Sequence, residues 1–387
     1  MIYEIRKSCR NIAVILTLLL CVVADIYKIN EYYTLNYAFA GKGAELADSA
    51  YKTLLEEYSG LITQEKVNRI TARFAPMEND FLNHNFDMEY NENYITGYFS
   101  RDYILYRRYI YNEMRRNAEY SSFAEGITNL THDNILFYTK YDNTYEIAKN
   151  ELIADIYDNR QVAGFYDTMG WAAFFDYEFS SLMMLCIILL CVPLIFSAEE
   201  SSGMIDINNT TVLGRSRLIL RKIGACIIVV IADCVLFFAV DIAGFAVKYG
   251  LTNLFAPLYS IGSMVNTPFT VSILGGAMLT LMFRMIGALL AAFITALATV
   301  IIRKPLYSYI ASGACIIIFI VSSQYFSISP ANLILSNDLL REFGAVDFGG
   351  NAVLSTVFMA IEAAVIIVIM AAIMIFTDRR RIVKCTK

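Results

Sequence analysis

Residues 196–222 read FSAEESSGMIDINNTTVLGRSRLILRK, and they hold the side chains best placed to engage another protein. An apolar run ends at Phe196, and the carboxylates Glu199 and Glu200 follow it. Gly203-Met204, Thr210-Thr211 and Gly214-Arg215 then come in order, before Arg217, Arg221 and Lys222 open the next apolar run. Carboxylates and a guanidinium offer charge-assisted contacts to a protein surface, while glycines permit tight turns. The basic residues alone need be no more than an orientation signal, because inner-face loops gather Lys and Arg. Orientation does not require the ordered Gly-Met, Thr-Thr and Gly-Arg pairs.

A second set of chemical groups lies inside apolar runs: Asp233, Asp241, Arg284 and Glu362. Placing an ion there costs at least ~2.5 kcal/mol, so each needs a partner or a use. Counted along helices from their inner ends, Asp241 lies at ~34 Å and Arg284 at ~27 Å, within reach of an ion pair, although separate snorkelling to the outer interface is the alternative. Asp233 and Glu362 match at ~22 and ~21 Å. They are either polar points on a substrate path or mutual hydrogen-bond partners at a helix contact.

Other chemistry lacks its parts. There is no G-x-x-x-x-G-K-[ST] loop to cradle nucleotide phosphates, no G-x-S-x-G elbow and no H-E-x-x-H. His84 and His132 are the only histidines, too few for a zinc site, and both read as surface residues. Near carboxylates such as Glu56 and Glu57 arise by chance in so acidic a stretch. All eight cysteines lie outside residues 28–178, so no disulfide framework staples that segment.

The elements that must position these groups are membrane spans. With 57% hydrophobic and 17% charged residues, and a mean hydropathy of +0.50, the chain is too apolar for a soluble protein of its length. Six apolar runs are expected: residues 11–27, 181–196, 218–247, 284–302, 306–326 and 353–376, with residues 272–283 as an interfacial piece before the fourth. The first run, behind Arg6, Lys7 and Arg10, also fits a cleavable signal peptide. An uncleaved span is preferred because the later spans then balance. Residues 1–10 have the pattern of a short amphipathic helix lying on the inner surface.

The net charge of −5 is unevenly spread. Residues 28–178 carry about 14 Lys and Arg against about 24 Asp and Glu, which leaves the remainder at about +5. Basic clusters at 6–10, 215–222, 303–304 and 379–387 all fall on one side if there are six spans, and that side is the cytoplasm. Both termini are then cytoplasmic and the acidic insertion lies outside.

The chain therefore divides into an inner segment and first span (1–27), a helical outer domain (28–178) and a membrane domain (179–387) with an inner loop at 197–217. Within the insertion, residues 44–58 and about 101–120 and 143–160 read as helices. Thr63 caps another, which ends or restarts at Pro76. Its many tyrosines suit a core near lipid headgroups better than a ligand surface. Trp171 reads as an anchor at the membrane interface. Gly287, Ala291, Thr295 and Thr299, and likewise Ala360 and Ala364, form small-residue ridges for close helix contact.

The loop at 196–222, the six-span layout and the aromatic approach through Trp171 together resemble the type-2 permeases of ATP-binding cassette transporters, in the Gram-positive form with a large first outer loop. The resemblance implies an all-α membrane subunit without enzymatic activity, in a bacterial plasma membrane, that exports peptides, lipids or antimicrobial compounds. It implies a separate ATPase chain holding ATP and Mg, a second permease, identical or related, and no nucleic acid. Glu199, Glu200, Gly203, Met204, Thr210, Thr211, Gly214 and Arg215 would then form the loop that receives the ATPase's motion. Compact relatives have a short loop where this chain has residues 28–178. The competing class is a non-transporting receptor or sensor scaffold whose outer domain binds a ligand.

Overall fold

Backbone polar groups in hydrocarbon must be satisfied within their own segment, which makes long apolar runs helical. The computed structural model describes residues 5–6, 10–36, 44–86, 89–201, 214–302, 305–325, 328–334 and 338–385. Among them, five helical stretches are long and apolar enough to cross a membrane: Ile12–Tyr33, Met169–Ser197, Leu218–Tyr249, Ile273–Ile302 and Ser355–Thr377. This is a multi-pass helical membrane protein. The interfacial segment expected at residues 1–10 lies largely outside the described residues.

The five long apolar stretches fall in α1 (Ile12–Asn36), α8 (Phe179–Ser201), α9 (Gly214–Tyr249), α10 (Ile273–Ile302) and α12 (Ser355–Cys385), and helix α11 (Pro305–Tyr325) carries a shorter apolar stretch. Helix α10 is central, packing on α8, α9, α11 and α12, while α1 lies against α8 and α9. Its centrality follows from small residues on several faces, including Gly276, Ala277, Gly287, Ala291 and Ala292, which let neighbouring backbones approach.

The expected break near Phe283 does not occur, and α10 is continuous for 30 residues. Arg284 has buried partners waiting for it and need not reach an interface. The Gly287–Thr299 ridge is filled from within the chain. A Cβ on Gly287 would stand 2.7 Å from the Ile334 nitrogen and 2.8 Å from the Leu333 carbonyl carbon. On α12 the buried face is instead Met359, Ala363, Met370 and Met374, which leaves Ala364 exposed.

The polar insertion is helical too: α2 (Ala44–Tyr58), α3 (Gln64–Leu82), α4 (Phe99–Ile104), a π-helical stretch Leu105–Tyr111, α5 (Asn112–Thr139), α6 (Thr144–Tyr157) and α7 (Met169–Asp176). Thr63 caps α3 by accepting from the Lys66 N–H, and Asn143 caps α6 through Glu146. Helix α3 runs through Pro76 rather than ending there. The carbonyl that Pro76 frees belongs to Ala72, on the exposed face where water can bond it. Strands β1 (Gly60–Leu61) and β2 (Gly164–Phe165) pair antiparallel and tie the start of the insertion to its end. Its core is aromatic, with Phe74 stacked on Tyr111 at 4.6 Å and on Tyr103 at 5.7 Å.

Two features are additional to the helices expected. Residues 250–272 make a compact plug of short turns that buries Leu258, Ile261 and Met264. A hairpin of β3 (Ala345–Phe348) and β4 (Asn351–Leu354) precedes α12 and leans on α6, where the Tyr145 hydroxyl donates to the Ala345 carbonyl at 3.2 Å.

Candidate functional site

Four membrane helices bring polar side chains to one buried point. From α10, Arg284 Nη1 donates to Asp241 Oδ2 on α9 and to Ser180 Oγ on α8, each at 3.1 Å, and Nη2 donates to the Tyr177 carbonyl at 2.8 Å. Ser180 Oγ in turn donates to Asp241 Oδ2 at 2.7 Å. The Tyr177 hydroxyl donates to Asp25 Oδ1 on α1 at 2.6 Å. Arg284 is 3% exposed, Asp241 1% and Asp25 0%.

Of the two arrangements open to Asp241 and Arg284, the structure has the ion pair. Asp25 stands beside Asp241, so two carboxyls share one guanidinium. The Asp25 and Asp241 side chains are within hydrogen-bonding reach of one another. Asp25 belongs to the site although the sequence did not single it out. Its signal was an acid only one turn from the polar end of an apolar run, which reads as the end of a span.

Asp233 and Glu362 do not hydrogen-bond to one another. Asp233 is buried, and neither of its oxygens meets a donor among the described residues. Glu362 is only half-buried, because α12 turns its methionine face inward. Trp171, expected at the lipid interface, is instead enclosed by protein at 2% exposure. Its indole N–H donates to the Thr252 carbonyl at 2.7 Å, as a buried indole requires. Gly170 makes this seat possible, since a Cβ there would lie 2.7 Å from Tyr249 Cβ.

Above this cluster a cavity of about 350 Å³ opens between the insertion and the membrane helices. Its walls include Tyr32 at the end of α1, Arg108 and Tyr109 on the π-helical stretch, Met169 and Ala172 on α7, and Tyr249 at the end of α9. Glu113 and Arg116 on α5 border it as an ion pair, and Arg116 also donates to the Ser260 carbonyl at 2.9 Å. Asp176, on its floor, pairs with Arg341.

The insertion is stitched to the plug beside the cavity. Arg160 donates to the Thr267 carbonyl at 2.9 Å and to Thr270 Oγ1 at 3.1 Å, and its guanidinium lies between the rings of Tyr157 and Tyr259. Tyr120 stacks on Tyr259 at 4.8 Å. Burial pushes the Tyr120 hydroxyl up to about 12, so it stays protonated and donates to the Val265 carbonyl at 3.1 Å.

At the opposite end, Gly203, Met204, Thr210 and Thr211 lie outside the described residues. Glu199 and Glu200 fall in the last turn of α8, while Gly214 and Arg215 begin α9. The base of the loop is tied: the buried Lys222 Nζ donates to the Phe196 carbonyl at 3.0 Å, and Ser197 Oγ donates to the Pro193 carbonyl at 2.7 Å.

The fold and the buried cluster define a multi-pass helical membrane protein with a polar domain seated on one end of its bundle. No protein-family model matches the chain, and neither a curated protein nor a solved structure does.

Proposed function

We propose that this chain is the membrane subunit of an ATP-binding cassette exporter in a bacterial plasma membrane, driven by a separate ATPase and paired with a second permease, identical or related. Helix α11, with its apolar stretch Leu306–Ile318, counts as the sixth crossing. Its 21 residues span ~32 Å, enough for a hydrocarbon core of about 30 Å. Six crossings put the basic clusters and both termini in the cytoplasm and residues 28–178 outside.

The observation that carries this reading is the Lys222–Phe196 tie. It clamps α8 to α9 at the mouth of the inner loop, so a push on that loop reaches both helices together. The same two helices supply Ser180 and Asp241 to the Arg284 cluster at their outer ends. Loop, tie and cluster form one lever between an inner motor and the outer cavity. Peptides, lipids or antimicrobial compounds remain the cargo classes, and ATP and Mg belong to the partner chain.

Purification of the full chain from its native membrane tests the reading. A P-loop ATPase held in stoichiometric amount supports it. A kinase partner or a lone homodimer contradicts it and favours a sensor whose outer domain binds a ligand.

A further inference from the structure

Asp25 on α1 and Asp241 on α9 are both buried, and their carboxyls are close enough to hydrogen-bond. Two ionised carboxylates cannot do so, because each has acceptors only. The contact requires one proton between them. The charge count agrees, since a single guanidinium, that of Arg284, faces both acids.

The neighbouring donors show where that proton belongs. Asp241 Oδ2 accepts from Arg284 Nη1 at 3.1 Å and from Ser180 Oγ at 2.7 Å, which holds the negative charge on Asp241. Asp25 Oδ1 accepts from the Tyr177 hydroxyl at 2.6 Å. The oxygens that these donors leave over are Asp25 Oδ2 and Asp241 Oδ1, and both are shut off from solvent. A proton on Asp25 Oδ2, donated to Asp241 Oδ1, satisfies both atoms at once.

The wider surroundings keep the excess of acid. Glu178, half-buried ahead of α8, is a further carboxyl in the field of Arg284. Cys21 lies one turn from Asp25 on α1, and Asp233, further along α9, acts on it. Arg341 is held by Asp176 and Asp338. A cavity of about 240 Å³ with Glu31, Tyr177 and Glu178 in its walls opens at the ends of α1 and α8, next to this cluster.

We propose that Asp25 and Asp241 form a proton-binding site, in which one proton on Asp25 Oδ2 is shared with Asp241 Oδ1 and latches α1 to α9. Binding takes the proton from water and forms the O–H bond on Asp25. Release breaks that bond, returns the proton to water and leaves two carboxylates on one guanidinium. Like charges so close repel, so release pushes α1 away from α9. The site needs no ATPase and stands or falls apart from the transport reading.

The test is infrared spectroscopy of the full chain in dodecyl maltoside, a detergent without a carbonyl of its own, at neutral pH. A protonated carboxylic acid absorbs apart from the carboxylate bands. One such band is expected to shift in D2O and to be lost in Asp25→Asn. Asparagine keeps an acceptor for Tyr177 and offers Asp241 an N–H in place of the O–H, so this variant is expected to fold. Tyr177→Phe leaves the proton but removes the hydrogen bond to Asp25 Oδ1, so the same band should survive and move to higher frequency. Asp233→Asn should leave it unchanged. As pH rises and the band fades, the unfolding midpoint of the parent should fall below that of Asp25→Asn.

An acid region that Asp25→Asn leaves unchanged overturns the proposal, because Asp25 then carries no proton. A band unmoved by Tyr177→Phe does the same, as does one lost in Asp233→Asn. Midpoints of the parent and Asp25→Asn that move together with pH overturn the latch.

Discussion

Arg284 on α10 and Asp241 on α9 form a fully buried ion pair at 3.1 Å, and the same guanidinium binds Ser180 and the Tyr177 backbone. Removing one member of such a pair strands the other charge in a low-dielectric site, at a cost of about 3–5 kcal/mol, whereas removing both can be close to neutral. Arg284→Leu and Asp241→Leu are each expected to lower the unfolding midpoint in detergent strongly, and the double variant to recover most of the loss. Additive losses would show that the pair is not the source of the stability.

Asp25 tests the charge count in that cluster. Two buried carboxyls face one guanidinium, so the cluster holds one acid more than Arg284 offsets. Asp25→Asn keeps an oxygen to accept from Tyr177 and removes that surplus. It is expected to match or exceed the parent in thermal stability, while Asp241→Asn falls below it. The reverse order would mean that Asp25, not Asp241, is the counter-ion of Arg284.

Gly287 probes the packing of α10. Its neighbours at 2.7 and 2.8 Å are the backbone of Leu333 and Ile334, which cannot swing away as a side chain could. Gly287→Val should cost about 1–3 kcal/mol through overpacking, while Gly313→Val, with nothing within 4 Å of its Cβ position, should cost far less. Equal midpoints for the two variants in a thermal melt would contradict the close contact.

Burial raises the Asp167 carboxyl above the usual carboxylate range, against opposing hydrogen bonds from the Tyr51 hydroxyl and the Met169 backbone. Between the unfolded and folded values the native chain binds more protons, so this group's contribution to stability falls as pH rises. The penalty is absent below the ordinary aspartate value of about 3.9 and complete above the folded value. Asp167→Asn is therefore expected to be more stable than the parent at neutral pH, with the difference vanishing near pH ~4. A difference independent of pH would assign the effect to packing.

Periodic and capped segments were readable from sequence because their signals are local. Residues 44–58 form a helix with the expected limits, and Thr63 caps the next helix as its position suggests. The Arg284 partners were partly readable, since depth along two helices brought Asp241 to the right level. Asp25 and Tyr177 were not, because only tertiary packing brings α1 to that point. The π-helical stretch was equally hidden, as a change of hydrogen-bond register leaves no mark in hydrophobic period. The cavity, the plug and the Lys222 tie arise from segments distant in sequence that no local pattern joins. Gly349-Gly350, between β3 and β4, is a turn signal flanked by runs too short for alternation to stand out.

The central claim is that a motor outside this chain works on its inner loop and that the Lys222–Phe196 tie passes that work to α8 and α9. ATP hydrolysis by the native complex in nanodiscs, compared between the parent, a Gly214 and Arg215 double replacement, and Lys222→Met, tests this most directly. The account predicts hydrolysis stimulated by the parent chain, stimulation lost in the double replacement, and hydrolysis uncoupled from cargo movement in Lys222→Met. Cargo movement by the purified chain with no ATPase bound, or stimulation untouched by both variants, would contradict it.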